Sequence, residues 1–196
     1  YLPENPGHKL AHEYHNVSTT DKDAVLELAK TLNIDGIVAY ASDPSAPTAA
    51  YVSEKLGLPG NPYDSVEILA RKDLFRAFIE KHGFNTPRSK SFYDIDEARI
   101  WLEEIGTPAF IKPVDSSGSK GVTGLEDKNN FDIAFNHALQ FSREKKVVVE
   151  EAIIRKGYQV AERFVSIDAR GINRDRAVVG HVGRNGLHHR MGMHDL

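Results

Sequence analysis

The chain has 196 residues, 40% of them hydrophobic and 27% charged, with a net charge of −3 and no cysteine. That length supports one sizeable core or two small ones, and the composition is that of a folded chain, not a disordered one. Near-neutral charge excludes a global pull toward nucleic acid or an anionic membrane, so any affinity for phosphate is local. The missing cysteine excludes disulfides, thiolate nucleophiles and Cys-ligated zinc, and fits a reducing, cytoplasmic setting.

No apolar run is long enough to span a bilayer, and no signal-peptide pattern opens the sequence. Tyr1 to Val17 reads as irregular, with three histidines (His8, His12 and His15) expected at the surface. Ala24, Val25, Leu28, Ala29 and Leu32 recur at helical spacing, and Thr20 with Asp23 predicts a capping box for a helix from Asp21 to Leu32. Ile34 to Ala41 is short, apolar and partly β-branched, and predicts a buried parallel strand. Ala46 to Leu56 predicts a second helix closed by Gly57, and Ser65 to Gly83 a third. Helix, strand and helix with short connections predict half of a doubly wound α/β layer. The absent preceding strand and the start at Tyr1 set the expectation of missing N-terminal sequence.

A boundary is expected near Thr86. Beyond it the pattern predicts a strand at Ser89 to Phe92, a helix at Asp94 to Ile105 and a strand at Ala109 to Pro113. A return strand at Val122 to Glu126, a helix from Asn130 to Arg143 and a strand at Lys146 to Ala152 complete a small α+β unit. Val160 to Ile167 predicts one more strand. Asp168 to Leu196 has little periodicity, and Ala177-Val178-Val179 is its apolar island. His181, His188, His189 and His194 match no zinc spacing.

The strongest local signal is Asp115-Ser116-Ser117-Gly118-Ser119-Lys120-Gly121. Glycines let backbone N–H groups turn toward a phosphate chain, serines add short donors, and Lys120 adds charge. The pattern is neither a Walker A loop nor a dinucleotide fingerprint. Taken alone it fits a plain β-hairpin as well as a phosphate cradle. Lys112, in Phe110-Ile111-Lys112-Pro113, can reach an anion while its stem packs on apolar walls. Val147-Val148-Val149 followed by Glu150-Glu151 reads either as a strand whose polar end meets a cleft or as an edge strand with solvated acids.

In order, these pieces resemble the ATP-grasp superfamily, in particular ligases like the carbamoyl-phosphate synthase large subunit. The matching stretch runs from about Asp35 to Ile153. It includes Asp35-Gly36-Ile37, Leu56-Gly57-Leu58-Pro59-Gly60, Arg71-Lys72-Asp73 with Phe75-Arg76, and His82-Gly83-Phe84-Asn85-Thr86-Pro87. It continues with the Lys112 strand, the Ser/Gly loop, and Val149 to Ile153. The resemblance implies a partial pre-ATP-grasp (Rossmann-like) α/β domain at 1–86, a small α+β ATP-grasp subdomain at 87–159, and an incomplete large subdomain or uncertain tail at 160–196.

The resemblance also implies roles. Lys112 would contact the α-phosphate and the adenine edge, and Ser116, Ser117, Gly118, Ser119, Lys120 and Gly121 would close over the β- and γ-phosphates. Glu151 and Ile153 would offer backbone C=O and N–H to adenine, with Glu150 at the pocket edge. Lys72 matches a lysine near the nucleotide, and an exposed helix lysine is the other reading of it. The family's magnesium site ends in a Glu-x-Asn element, and none follows Glu151. Magnesium ligands are therefore expected to be missing, and the tail reads as a divergent ending, a truncation or out-of-frame translation. The implied reaction is ATP-dependent joining of an unknown carboxylate to an amine through an acylphosphate, with this chain binding ATP weakly and not turning over. A non-catalytic nucleotide-binding or assembly module, oligomeric through its open face, and a structural α/β domain are the alternatives.

Overall fold

The computed structural model describes residues 5–154 and the backbone of three later strands. It divides into two compact units, Tyr1–Ala152 and Ile153–Leu196.

The first unit begins with helices α1 (Lys22–Leu32) and α2 (Ala46–Leu56). The N-cap of α1 is Asp21, whose carboxylate accepts from the Ala24 N–H; it takes the place expected of Thr20. Gly57 ends α2 at φ 67°, a left-handed conformation that glycine adopts without strain. Leu26 and Ala29 of α1 pack on Val52 of α2, with Ile34 and Ile37 half-buried against them.

The expected strand at Ile34 to Ala41 does not form. Those residues are extended and bent backbone, with Val38 81% and Tyr40 89% exposed. Among the described residues no strand lies beside them, and an apolar run without a ladder partner has nothing to satisfy its N–H and C=O groups in a sheet. The expected single helix from Ser65 to Gly83 is also two. α3 (Tyr63–Ala70) and α4 (Lys72–Lys81) meet at Arg71, which is extended at φ −108°, ψ 125°. The guanidinium of Arg71 pairs with Asp73 and with Glu144, so the break is held by charge.

A four-stranded antiparallel sheet follows, in the order β1-β4-β2-β3, from β1 (Ser89–Phe92), β2 (Ala109–Pro113), β3 (Thr123–Leu125) and β4 (Val147–Glu151). Helices α5 (Ile95–Ile105) and α6 (Phe131–Phe141) supply the rest of the core. Asp94 caps α5 by accepting from the N–H groups of Asp96 and Glu97. The core gathers Ala98, Trp101, Leu102, Phe131 and Phe135 from the helices against Ala109, Ile111, Val147 and Val149 from the central strands. The indole N–H of Trp101 donates to the carbonyl of Val149 at 3.1 Å, inside this core.

The second unit holds a three-stranded antiparallel sheet of β5 (Val160–Arg163), β6 (Val178–Val182) and β7 (His188–Arg190). The first two fall on the apolar stretches expected there. His194 lies outside the described residues. Among the described residues no helix is long and apolar enough to cross a membrane.

Candidate functional site

Side chains alternate along a strand, and this sorts β2 and β4 into two faces. Ala109 and Ile111 point with Val147 and Val149 into the helix-covered core. Phe110 and Lys112, with Val148 and Glu150, take the opposite face. The register pairs Lys112 with Val148 and Phe110 with Glu150, so Lys112 and Glu150 are diagonal neighbours. Their ion pair closes at 2.6 Å, with both side chains largely buried. Arg76 of α4 reaches the same carboxylate with two donors, Nε to Oε2 at 2.7 Å and Nη2 to Oε1 at 3.1 Å. Burial would raise the Glu150 carboxyl; the hydrogen bonds from Arg76 and Lys112 outweigh it and hold the carboxyl below its ordinary value.

The N-terminus of α4 docks where β2 ends. The Lys72 N–H donates to the Val114 carbonyl at 3.0 Å, and the Lys72 ammonium donates to the Ser116 carbonyl at 2.6 Å. Lys72 is half-buried. Burial lowers its pKa first, and the charge of Lys112 lowers it further.

The Ser/Gly loop leaves β2 through Asp115, itself buried. That carboxylate accepts from the N–H groups of Arg143 at 3.2 Å and Glu144 at 3.0 Å, and Arg143 Nη2 donates to the Asp115 carbonyl at 2.6 Å. Ser116 Oγ donates across the loop to the Lys120 carbonyl at 2.7 Å. Gly118 and Ser119 are left-handed, at φ 64° and 58°. Gly121, at φ 73°, rests on Phe141, where an added Cβ would come within 2.8 Å of the Phe141 Cβ. The loop is thus pinned at both ends while Gly118, Ser119 and Lys120 between them are exposed.

Lys72, Lys112 and Ser116 to Ser119 line one cleft of about 640 Å³, with Val66 and Leu69 of α3 among its apolar walls. Of the expected residues, Lys120 and Gly121 stand outside that lining. Glu150 joins it through Lys112. Glu151 is turned to Arg88, which holds it with Nε at 2.7 Å and with its backbone N–H at 3.0 Å. These two bonds lower the Glu151 carboxyl, the backbone one first. Ile153 belongs to the second unit, and its side chain is 72% exposed. Arg76 and the α3 walls are not singled out as site residues by sequence, and Asp115, which opens the Ser/Gly signal, is given no role there. Arg76 had a signal, since it follows Lys72 by four positions and so shares its helix face.

Two ammoniums and a donor-rich loop on one cleft suit a polyanion. Among the described residues no group of three or more His, Asp or Glu side chains stands close enough to hold a metal ion.

The model of the family described as "Carbamoyl-phosphate synthase L chain, ATP binding domain" matches residues 71–172. The chain belongs to that family and carries part of an ATP-grasp fold. It is 31% identical over 166 residues to a phosphoribosylamine–glycine ligase of Methanopyrus kandleri, covering 80% of this chain and 37% of that protein. An L-amino acid ligase from Bacillus licheniformis shares the fold with a TM-score of 0.58 at 24% identity, over 83% of this chain and 36% of the other. The biotin carboxylase domain of a Hydrogenobacter thermophilus 2-oxoglutarate carboxylase, solved with ADP, magnesium ADP and bicarbonate, does so with a TM-score of 0.59 at 19% identity. It covers 74% of this chain and 36% of that one. The chain thus spans little more than a third of the length of each of these three relatives.

Proposed function

We propose that the cleft between α3, α4 and the Ser/Gly loop binds the phosphates of ATP, and that the chain is the ATP-binding portion of a ligase that joins a carboxylate to an amine through an acylphosphate. The observation that carries this is the convergence of Lys72 and Lys112, from separate elements, on one cleft closed by Ser116 to Ser119. Lys112 takes the inner phosphate, Lys72 supports it, and the exposed middle of the loop folds over the outer ones. Charge-assisted hydrogen bonds in a half-buried site hold phosphate oxygens more strongly than they would in water. Glu151, at the end of β4, offers its backbone C=O to adenine.

Magnesium, which the ligase family's chemistry calls for, would neutralise phosphate oxygens when bound. The described residues present no cluster fitted to it, so no step here passes through it. The carboxylate, the amine and turnover belong to the whole protein. This chain by itself is expected to bind ATP weakly and to release no phosphate.

Calorimetric titration with MgATP tests the reading, with thermal stabilisation as a second readout. Lys112→Ala should weaken ATP by about tenfold to a hundredfold, the loss of one charge-assisted bond. Equal affinity in wild type and Lys112→Ala would overturn it.

A further inference from the structure

We infer that Glu150 occupies Lys112 as an internal stand-in for a ligand phosphate, and that Arg76 is the positioning residue that keeps Glu150 behind when Lys112 changes partner. This rests on the nucleotide reading of the cleft and adds to it the event that must precede phosphate binding.

The geometry is that of a shared carboxylate. Glu150 Oε1 accepts from both Lys112 Nζ, at 2.6 Å, and Arg76 Nη2, at 3.1 Å, while Oε2 accepts from Arg76 Nε at 2.7 Å. If Lys112 leaves, both oxygens still meet the guanidinium, because a planar fork matches a carboxylate with two parallel bonds. A buried carboxylate stripped of its last partner carries a heavy desolvation cost; Arg76 removes that cost from the swing of Lys112. The other carboxylates nearby are committed elsewhere. Asp73 is held by Arg71 and Lys146, each at 2.9 Å, and Asp115 caps the Arg143–Glu144 backbone. Lys72 donates to a carbonyl, not to a carboxylate. Two cations, Lys112 and Arg76, therefore share one carboxylate, while Lys72 adds a further charge near Lys112 that hydrogen-bonds to no carboxylate, and this surplus suits an incoming polyphosphate.

The reading assigns opposite signs to two neighbouring substitutions. With Arg76→Met, Glu150 has only Lys112 and keeps it, so ATP and inorganic tripolyphosphate should bind about tenfold more weakly or worse. With Glu150→Gln the competing charge is gone, and both ligands should bind at least as tightly as to wild type. The double variant Arg76→Met/Glu150→Gln should return to within about threefold of Glu150→Gln, because nothing is left for Arg76 to hold. Titrating all four proteins with both ligands, at matched ionic strength, reads this pattern. If Arg76 only supports the fold, the double variant instead binds worst, and that result overturns the proposal. So does Arg76→Met binding as well as wild type. Should Arg76→Met fail to fold, Arg76→Lys replaces it: one donor in place of two gives an intermediate weakening that Glu150→Gln again relieves, and no weakening overturns the proposal. Lys112→Ala separates the two levels. No effect of Lys112→Ala sinks the nucleotide reading itself, whereas a loss there without rescue in the double variant sinks only the exchange.

Discussion

Two apolar stretches of the first unit carry much the same message in sequence and end in different structures. Val147 to Val149 become the centre of a sheet, paired with β1 on one side and β2 on the other. Ile34 to Ala41 lie against α1 and α2 without a ladder, their outer side chains in water. The buried cluster behind the sheet holds twelve residues, against three between α1 and α2, so cohesion is concentrated around the sheet. The difference teaches that hydrophobic, β-branched composition selects a strand only where other strands accept its hydrogen bonds. It also explains why the candidate site is built on the sheet side, where Lys112 and Glu150 are fixed by register.

The largest break in this comparison should come from Phe135, fully buried between α6 and the sheet. Phe135→Ala is expected to cost about 3–5 kcal/mol by denaturant titration, whereas Val52→Ala, equally buried in the smaller cluster, should cost about 2 kcal/mol. Comparable losses would mean that the two clusters contribute equally.

Acid should discriminate next. Burial opposes ionisation of Asp73 and Glu150, yet hydrogen bonds from Arg71 and Lys146, and from Arg76 and Lys112, hold both carboxyls lower in the folded chain than in the unfolded one. As pH falls, the unfolded state takes up these protons first. The stability they supply is complete above the usual carboxylate range and is lost as pH drops through their lowered folded values. The midpoint of thermal unfolding should therefore fall on acidification, and Glu150→Gln should make that fall shallower. An unchanged slope would show that the pair contributes no pH-dependent stability.

The smallest effect belongs to the unpaired stretch. Tyr40→Ser, at an exposed position, should change stability by less than about 0.5 kcal/mol. A larger loss would mean that this segment is covered in solution.

Much of this was legible in sequence. Gly57 after a helical run and the short strand Ala109 to Pro113 each follow from local chemistry, and each lies where expected, whereas Asp94, expected inside its helix, stands before it as the cap. The failures were also physical. The break at Arg71 depends on Glu144, 73 residues away, and the grip of Arg76 on Glu150 spans 74 residues, separations that no periodicity encodes. The strand expected at Ile34 failed because its formation depends on neighbours, not on its own residues. In the candidate site, Lys72, Lys112 and the serines could be found by type and order; Arg76 needed the fold to reveal which carboxylate it serves.

Trp101 is the chain's single tryptophan. Its indole is bonded to the Val149 carbonyl, one residue before Glu150, and the Lys90 ammonium stands 3.9 Å above its ring. The molecule thus has a built-in optical probe at the strand that carries the shared carboxylate. Its emission can follow rearrangement there without an attached dye, and no second indole adds a background signal.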